Sequence, residues 1–129
     1  MSIRANRLTP LLQVFDMRKS VAWYCDILGC ELLQKHEPDG HLYWAMLKLD
    51  QTVLMLNARY EDDQRPATAP AVERGDMTLY FACPDVDAAY AALLAKGAKV
   101  DPPKVTYYGM KQMLIRDLDG FELCFQQPA

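Results

Sequence analysis

The chain has 129 residues, of which 51% are hydrophobic and 24% charged, and a formal net charge of −3 at pH 7. This size and composition suit a single globular domain, and the acidic balance argues against a nucleic-acid-binding protein, which needs a basic face. No apolar run approaches the roughly 20 residues of a membrane-spanning helix. The first residues also lack the basic-then-apolar layout of a signal peptide. We therefore expect a cytoplasmic protein that binds neither nucleic acid nor a membrane.

The first half of the chain predicts one strand, one helix and three further strands. An apolar stretch at residues 8–14 predicts the first strand. Asp16 suits the N-cap of a helix at residues 17–27, where apolar residues recur at helical spacing, and Gly29 suits its end. Turn-forming residues then separate three predicted strands, at residues 31–36, 42–49 and 52–57.

Residues 58–76 are charged, contain prolines and show no periodicity, which predicts a linker or a mobile loop. The charged part of this stretch, residues 59–65, is either a solvated linker or a lid over a binding site. The second half then repeats the earlier order. Asp85 and Gly97 bound its predicted helix, residues 86–96. Its predicted strands lie at residues 77–83, 98–100 and 110–116, and after the Asp119-Gly120 turn a last strand ends at Gln126.

An internal repeat follows from the spacing of these features. The predicted helix caps Asp16 and Asp85 are separated by 85 − 16 = 69 positions. The same offset superimposes residues 54–56 on residues 123–125, and residues 11–13 on residues 80–82. This repeat predicts a single domain, 1–129, made of two βαβββ modules at 7–58 and 76–128, with a linker at 59–75. The predicted fold class is α+β, with two curved mixed sheets that enclose a cleft and one helix on the outer face of each.

Three segments of the chain resemble a known superfamily. The segment DMRKSVAWYCDILG at 16–29 resembles the D-x-x-x-S-x-x-F-Y-x-x-x-L-G signature of the vicinal oxygen chelate superfamily. The segment RDLDGFEL at 116–123 resembles its D-P-D-G hairpin, with Leu118 in place of proline, and PDVDAAY at 84–90 matches its second helix start. The superfamily includes glyoxalase I, extradiol dioxygenases, and the fosfomycin- and bleomycin-resistance proteins. One fold here serves several chemistries, so the resemblance implies the fold more strongly than an activity.

The resemblance also implies where a metal ion would bind. Metal-dependent members use His, Gln or Glu side chains, the first lying seven residues before the helix-cap Asp. The corresponding positions here hold Thr9, Met55, Thr78 and Cys124. None of these is a histidine or a carboxylate, whereas hard divalent ions prefer oxygen and imidazole ligands. We therefore expect no metal and no cofactor, name no catalytic residue, and favour a protein that is not an enzyme, although Glu122 lies on the same face as Cys124.

The expected function is the binding of a small apolar or aromatic molecule in a metal-free cleft, as in the bleomycin-resistance branch. The alternative is a glyoxalase-type lyase or isomerase, or another enzyme of the superfamily with a non-standard site. Family members often form homodimers, which the resemblance implies here too. Several aromatic, thioether and amide side chains occupy strand positions that would face the cleft and contact a ligand. Packing in the core or exposure at a sheet edge is the alternative role for these side chains. The candidate ligand-binding residues are Thr9, Gln13, Trp44, Met55, Asn57, Thr78, Tyr80, Tyr108, Cys124 and Gln126.

The remaining polar and thiol side chains have simpler interpretations. His36 and His41 flank a predicted turn, either as surface residues or at the rim of the cleft. The four cysteines form no Cys-x-x-Cys pair and lie in apolar surroundings. Buried free thiols are typical of a reducing compartment, so we expect neither disulfides nor a zinc site.

Overall fold

The computed structural model describes residues 1–69 and 77–129, which divide into two compact units. The first unit comprises Met1–Cys25 and Gly29–Thr68, and the second comprises Asp26–Leu28 and Ala69–Ala129. The described residues form two helices and two four-stranded mixed sheets that are not closed. The predicted α+β class is confirmed. The cleft between the sheets and the module limits at 7–58 and 76–128 stay predictions.

The first sheet has the strand order β1-β4-β3-β2. Strand β1 pairs with β4 in parallel, and the other two pairings are antiparallel. The elements are β1 (Leu11–Val14), α1 (Met17–Asp26), β2 (Glu31–His36), β3 (Trp44–Leu49) and β4 (Thr52–Ala58).

The second sheet repeats this topology in the order β5-β8-β7-β6, with β5 parallel to β8. The pairing register repeats too, because Leu11 faces Met55 and Tyr80 faces Cys124, and both pairs are 44 positions apart (55 − 11 and 124 − 80). The βαβββ order predicted for both halves is therefore present. The elements are β5 (Thr78–Ala82), α2 (Val86–Ala95), β6 (Lys104–Val105), β7 (Met110–Arg116) and β8 (Glu122–Pro128).

Alternation along the strands separates a core face from a second face in each sheet. The core face of the first sheet carries Leu12, Val14, Ala45, Leu47, Leu54 and Leu56, and that of the second carries Met113, Ile115, Leu123 and Phe125. The side chains at the alternate strand positions form the second face of each sheet, called the Asn57 face in the first sheet and the Gln126 face in the second. The Asn57 face carries Leu11, Gln13, Trp44, Met46, Met55 and Asn57. The Gln126 face carries Thr78, Tyr80, Gln112, Leu114, Arg116, Glu122, Cys124 and Gln126.

The predicted helix caps are confirmed. Asp16 Oδ1 accepts a hydrogen bond from Lys19 N at 3.2 Å, and Asp85 Oδ1 accepts one from Ala88 N at 3.0 Å. Gly97 follows α2 with φ +78°, the left-handed conformation that terminates a helix at little steric cost. Each helix has ten residues, and no helix in the described part of the chain is both long and apolar enough to cross a membrane.

One predicted strand is wrong, and one predicted region is only partly described. Residues 98–100 form no strand, because Ala98 N donates to Leu93 O at 3.0 Å and thereby completes the end of α2. The strand that pairs with β7 begins after the two prolines, at Lys104. Residues 70–75 of the predicted linker, and residue 76 of the second module, lie outside the described residues.

Candidate functional site

A pocket of about 410 Å³ lies at the edge of the second sheet where β6 pairs with β7. Gln112 and Leu114 of β7 line it, both on the Gln126 face, and the other lining residues come from β6 and the residues on either side of it. This volume falls in the range of pockets that take small molecules, which is roughly 300–1,000 Å³. The lining residues are Asp101, Pro102, Lys104, Val105, Thr106, Tyr107, Tyr108, Gln112 and Leu114.

A tight turn between β6 and β7 presents two tyrosines to this pocket. Thr106 N donates to Met110 O at 2.7 Å, and Thr106 Oγ1 accepts from Met110 N at 3.1 Å, so both ends of the turn are closed. Gly109 supplies the positive φ of +83° that the turn requires. Tyr107 is fully exposed and Tyr108 is 54% exposed, with ring centroids 5.0 Å apart and nearly perpendicular ring planes. The turn therefore holds aromatic surface in contact with solvent.

A chain of hydrogen bonds connects Tyr108 to the centre of the sheet. Gln112 Nε2 donates to Tyr108 Oη and to Gln126 Oε1, both at 2.9 Å. Gln112 and Gln126 are direct partners in the antiparallel register, which places their side chains on one face. The pocket thus has a fixed polar edge beside the apolar Val105 and Leu114.

The next two rows of the Gln126 face carry the other predicted residues of this unit. Cys124 lies between Tyr80 and Leu114 in the register and is fully buried, whereas Tyr80 is 60% exposed. Burial, and then the nearby charge of Glu122, raise the pKa of the Cys124 thiol above its usual value of 9.0. Cys124 is therefore a neutral thiol at pH 7 in the metal-free chain and a poor nucleophile.

Both carboxylate oxygens of Glu122 have partners. Thr78 Oγ1 donates to Glu122 Oε1 at 2.7 Å, and Arg116 Nη2 lies 3.2 Å from Glu122 Oε2. Arg116 also donates to Gly120 O at 2.9 Å, so the arginine is held by the hairpin turn. Thr78 and Glu122 therefore stabilise the sheet through hydrogen bonds between its own strands.

In the first unit, three predicted residues share one row. Gln13 faces Asn57 and Asn57 faces Trp44 across neighbouring strands, which places all three on the Asn57 face. Met55 lies in the adjacent row, opposite Leu11 and Met46, and Thr9 precedes β1. The Asn57 face therefore brings together four of the five residues predicted in this unit.

The residues at the four implied metal positions do not fit a divalent ion. Thr78 donates its hydroxyl hydrogen to Glu122, Met55 offers only a thioether, and Cys124 is the one thiol among the four positions. Within residues 1–69 and 77–129, no group of three His, Cys, Asp or Glu side chains could hold a metal ion. We therefore derive no metal-assisted step.

His41 has a structural role in the first unit. Its Nδ1 lies 2.7 Å from Asp62 Oδ2, and Arg65 lies 3.4 Å from Asp62 Oδ1 and 3.8 Å from Asp16. The hydrogen bond to Asp62 raises the pKa of His41, and the same bond lowers the pKa of Asp62. Residues 59–65 are thus tied to the first unit by hydrogen bonds and ion pairs.

Of the ten predicted site residues, Tyr108 lines the pocket and Gln126 reaches it through Gln112. Sequence reasoning missed Gln112 and Leu114. The alternation of β7 could have identified them, because Met113 and Ile115 are buried and their neighbours must face the other way.

The family model described as Glyoxalase/Bleomycin resistance protein/Dioxygenase superfamily matches residues 4–125. The chain belongs to this superfamily. No curated protein sequence matches the chain.

Several solved structures share the superfamily fold over nearly the whole chain. TnmS3, an antibiotic binding protein from Streptomyces sp. CB03234, is 26% identical with a TM-score of 0.71, and the match covers 99% of this chain and 100% of that one. A bleomycin resistance determinant encoded on the transposon Tn5 is 17% identical with a TM-score of 0.74, covering 96% and 98%. A bleomycin-binding protein complexed with bleomycin is 17% identical with a TM-score of 0.71, covering 97% and 100%. The last two similarities concern the fold alone.

Proposed function

We propose that this superfamily member binds a small apolar or aromatic molecule in the pocket at the β6–β7 edge, without a metal ion. The observation that carries the proposal is the pocket itself, about 410 Å³ with tyrosine, valine and leucine residues in its lining. Apolar walls with a few fixed polar groups are typical of ligand pockets. The antibiotic-binding and bleomycin-binding relatives support this class of function.

We propose binding rather than catalysis as the role of this unit. A lyase or isomerase of the glyoxalase type would need a metal or a free acid–base group. The Glu122 carboxylate is bonded to Thr78 and Arg116, and the Cys124 thiol is neutral. Elemental analysis of the purified chain tests this directly. Stoichiometric nickel, zinc, iron or manganese, lost when Thr78 or Cys124 is replaced, would contradict it.

The binding test uses the full chain and a panel of aromatic antibiotics that includes bleomycin, with dissociation constants from isothermal titration calorimetry. We expect at least one member to bind with micromolar or better affinity. Leu114→Lys places a charge in the apolar wall and should weaken that binding by about tenfold or more. Leu118→Lys is the matched control, because Leu118 is similarly exposed (57% against 47%) but lies in the β7–β8 turn, outside the pocket. Equal affinities of the two variants would refute this placement of the site.

We also propose a cytoplasmic homodimer that does not bind nucleic acid. Cys30, Cys83 and Cys124 are free thiols, which suits a reducing compartment. The net charge of −3 disfavours nucleic acid. Exposed apolar side chains such as Leu11, Leu33 and Tyr80 offer surface for a second copy. Light scattering after gel filtration measures the mass, and a monomer at micromolar concentration would contradict the dimer.

A further inference from the structure

The hydrogen bonds at the polar edge of the pocket determine whether the Tyr108 hydroxyl acts as a donor or as an acceptor toward a ligand. An amide nitrogen carries two hydrogens, and Gln112 Nε2 uses them toward Gln126 Oε1 and Tyr108 Oη. Tyr108 Oη is therefore an acceptor in its bond with Gln112. Its own hydrogen is directed elsewhere, and within the described part of the chain no acceptor for it is found.

Tyr108 therefore presents a donor to the pocket that it lines. Accepting a hydrogen bond polarises a hydroxyl group and strengthens it as a donor. Lys104 adds positive charge on the same side, because it faces Gln112 in the β6–β7 register and lines the same pocket. No ion pair of Lys104 is found among the described residues. Both groups favour an electron-rich atom of the ligand at this edge.

The other lining residues determine what kind of molecular body the pocket favours in a ligand. Val105 and Leu114 supply aliphatic surface, and Tyr107 supplies an exposed aromatic ring. Such surfaces favour a flat, apolar body. From this combination we infer that the ligand is an aromatic compound with a hydrogen-bond-accepting oxygen on its edge, such as a ring carbonyl, and that the Tyr108 hydroxyl selects for that oxygen. This inference rests on the proposed function, since it deepens the chemistry of the same pocket.

Two probes that differ in a single functional group test the selection. 9-Fluorenone-2-carboxylate and fluorene-2-carboxylate have the same tricyclic outline and the same carboxylate, but only the first carries a ring carbonyl. We expect the wild-type chain to bind the fluorenone about fivefold more tightly, the range of one neutral hydrogen bond. Tyr108→Phe should abolish this preference, so that the affinities for the two probes become equal.

Two further variants distinguish the effect of the Tyr108 hydroxyl from the effects of other side chains. Tyr60→Phe removes a tyrosine hydroxyl from the first unit, away from the pocket lining, and it should retain the full preference. Gln112→Met removes the donor that positions Tyr108, and it should reduce the preference without abolishing binding of the fluorene. Circular dichroism confirms that each variant is folded.

The outcomes distinguish the inference from the proposed function. A preference that is present in the wild type and in Tyr60→Phe but absent in Tyr108→Phe supports the inference. Equal affinities of the wild type for both probes overturn the inference and leave the binding function standing. If neither probe nor any antibiotic of the panel binds, the proposed function fails and the inference fails with it.

Discussion

Replacing Asp117 by alanine tests the role of the β7–β8 hairpin in stability. Asp117 is 7% exposed, and its Oδ1 accepts hydrogen bonds from Asp119 N at 3.0 Å and from Phe121 N at 2.9 Å. Water can replace the carboxylate at the partly exposed Asp119, but Phe121 is 5% exposed and its N–H would lose this acceptor. A hydrogen bond to a charged group contributes about 1.5–3 kcal/mol, so we expect Asp117→Ala to lower the free energy of unfolding by about 2–3 kcal/mol.

The thermal shift follows from the length of the chain. Unfolding entropy is about 2.1 cal/mol/K per residue, or about 0.27 kcal/mol/K for 129 residues, so Tm should fall by about 7–11 °C. Far-UV circular dichroism is the suitable signal, because both tryptophans, Trp23 and Trp44, lie in the first unit.

Two variants control the measurement. Asp117→Asn keeps an oxygen acceptor and should lose only about 1 kcal/mol. Asp101→Ala removes an exposed carboxylate for which no ion pair is found among the described residues, and it should leave Tm unchanged. A Tm for Asp117→Ala within about 2 °C of the wild type, or equal losses for Ala and Asn, would refute the hydrogen-bond account.

The remaining predictions concern pH, thiol chemistry and backbone conformation. In the folded chain the pKa of His41 is raised above 6.5 and the pKa of Asp62 is lowered below 3.8. The pair therefore stabilises the fold fully between pH 3.8 and pH 6.5, and this contribution is lost as the pH rises through the folded pKa of His41. The Tm difference between the wild type and His41→Gln should therefore be larger near pH 5.5 than near about pH 8.5, and a constant difference would contradict this. Burial raises the pKa of the Cys30 thiol to about 12 and also raises that of Cys124, so Ellman's reagent at pH 8 should modify both far more slowly in the folded chain than in urea. Labelling of either thiol at the unfolded rate would refute that protection. Gly97→Ala should destabilise by about 1 kcal/mol in urea titrations, from the positive φ alone, because nothing lies within 4 Å of an added Cβ; a loss above about 3 kcal/mol would point to a clash instead.

Local signals predicted most of the fold because they act over short distances. Asp16 and Asp85 cap helices through their own side chains, and Gly97 ends one through its own φ angle, so each can be recognised without the rest of the molecule. Strand β7 was predicted with its observed limits, Met110–Arg116, from its apolar-rich sequence. The 69-residue offset matched residues 11–13 with 80–82 and residues 54–56 with 123–125. These segments occupy equivalent places in the two sheets, where Leu11 pairs with Met55 and Tyr80 pairs with Cys124.

The pocket was harder to predict because it depends on long-range registers. Gln112 reaches Gln126 only because β7 and β8 pair in one particular register, and it reaches Tyr108 only because of the turn closed by Thr106. The false strand at 98–100 has a local origin instead. Its β-like composition was outweighed by the hydrogen bond from Ala98 N to Leu93 O that ends α2.

The hydrogen-bonded pair Gln112 and Gln126 on the second sheet also bears on how a duplicated fold diversifies. In the equivalent row of the first sheet, Trp44 faces Asn57 where Gln112 faces Gln126. These positions alternate with core residues such as Met113, which hold the sheet against its helix. A substitution at an exposed position of the Gln126 face, such as Tyr80 or Leu114, therefore leaves the apolar core intact, so the two copies can acquire different chemistry without loss of foldability. We expect libraries at Tyr80, Gln112 and Leu114 to yield new ligand preferences from chains that remain folded.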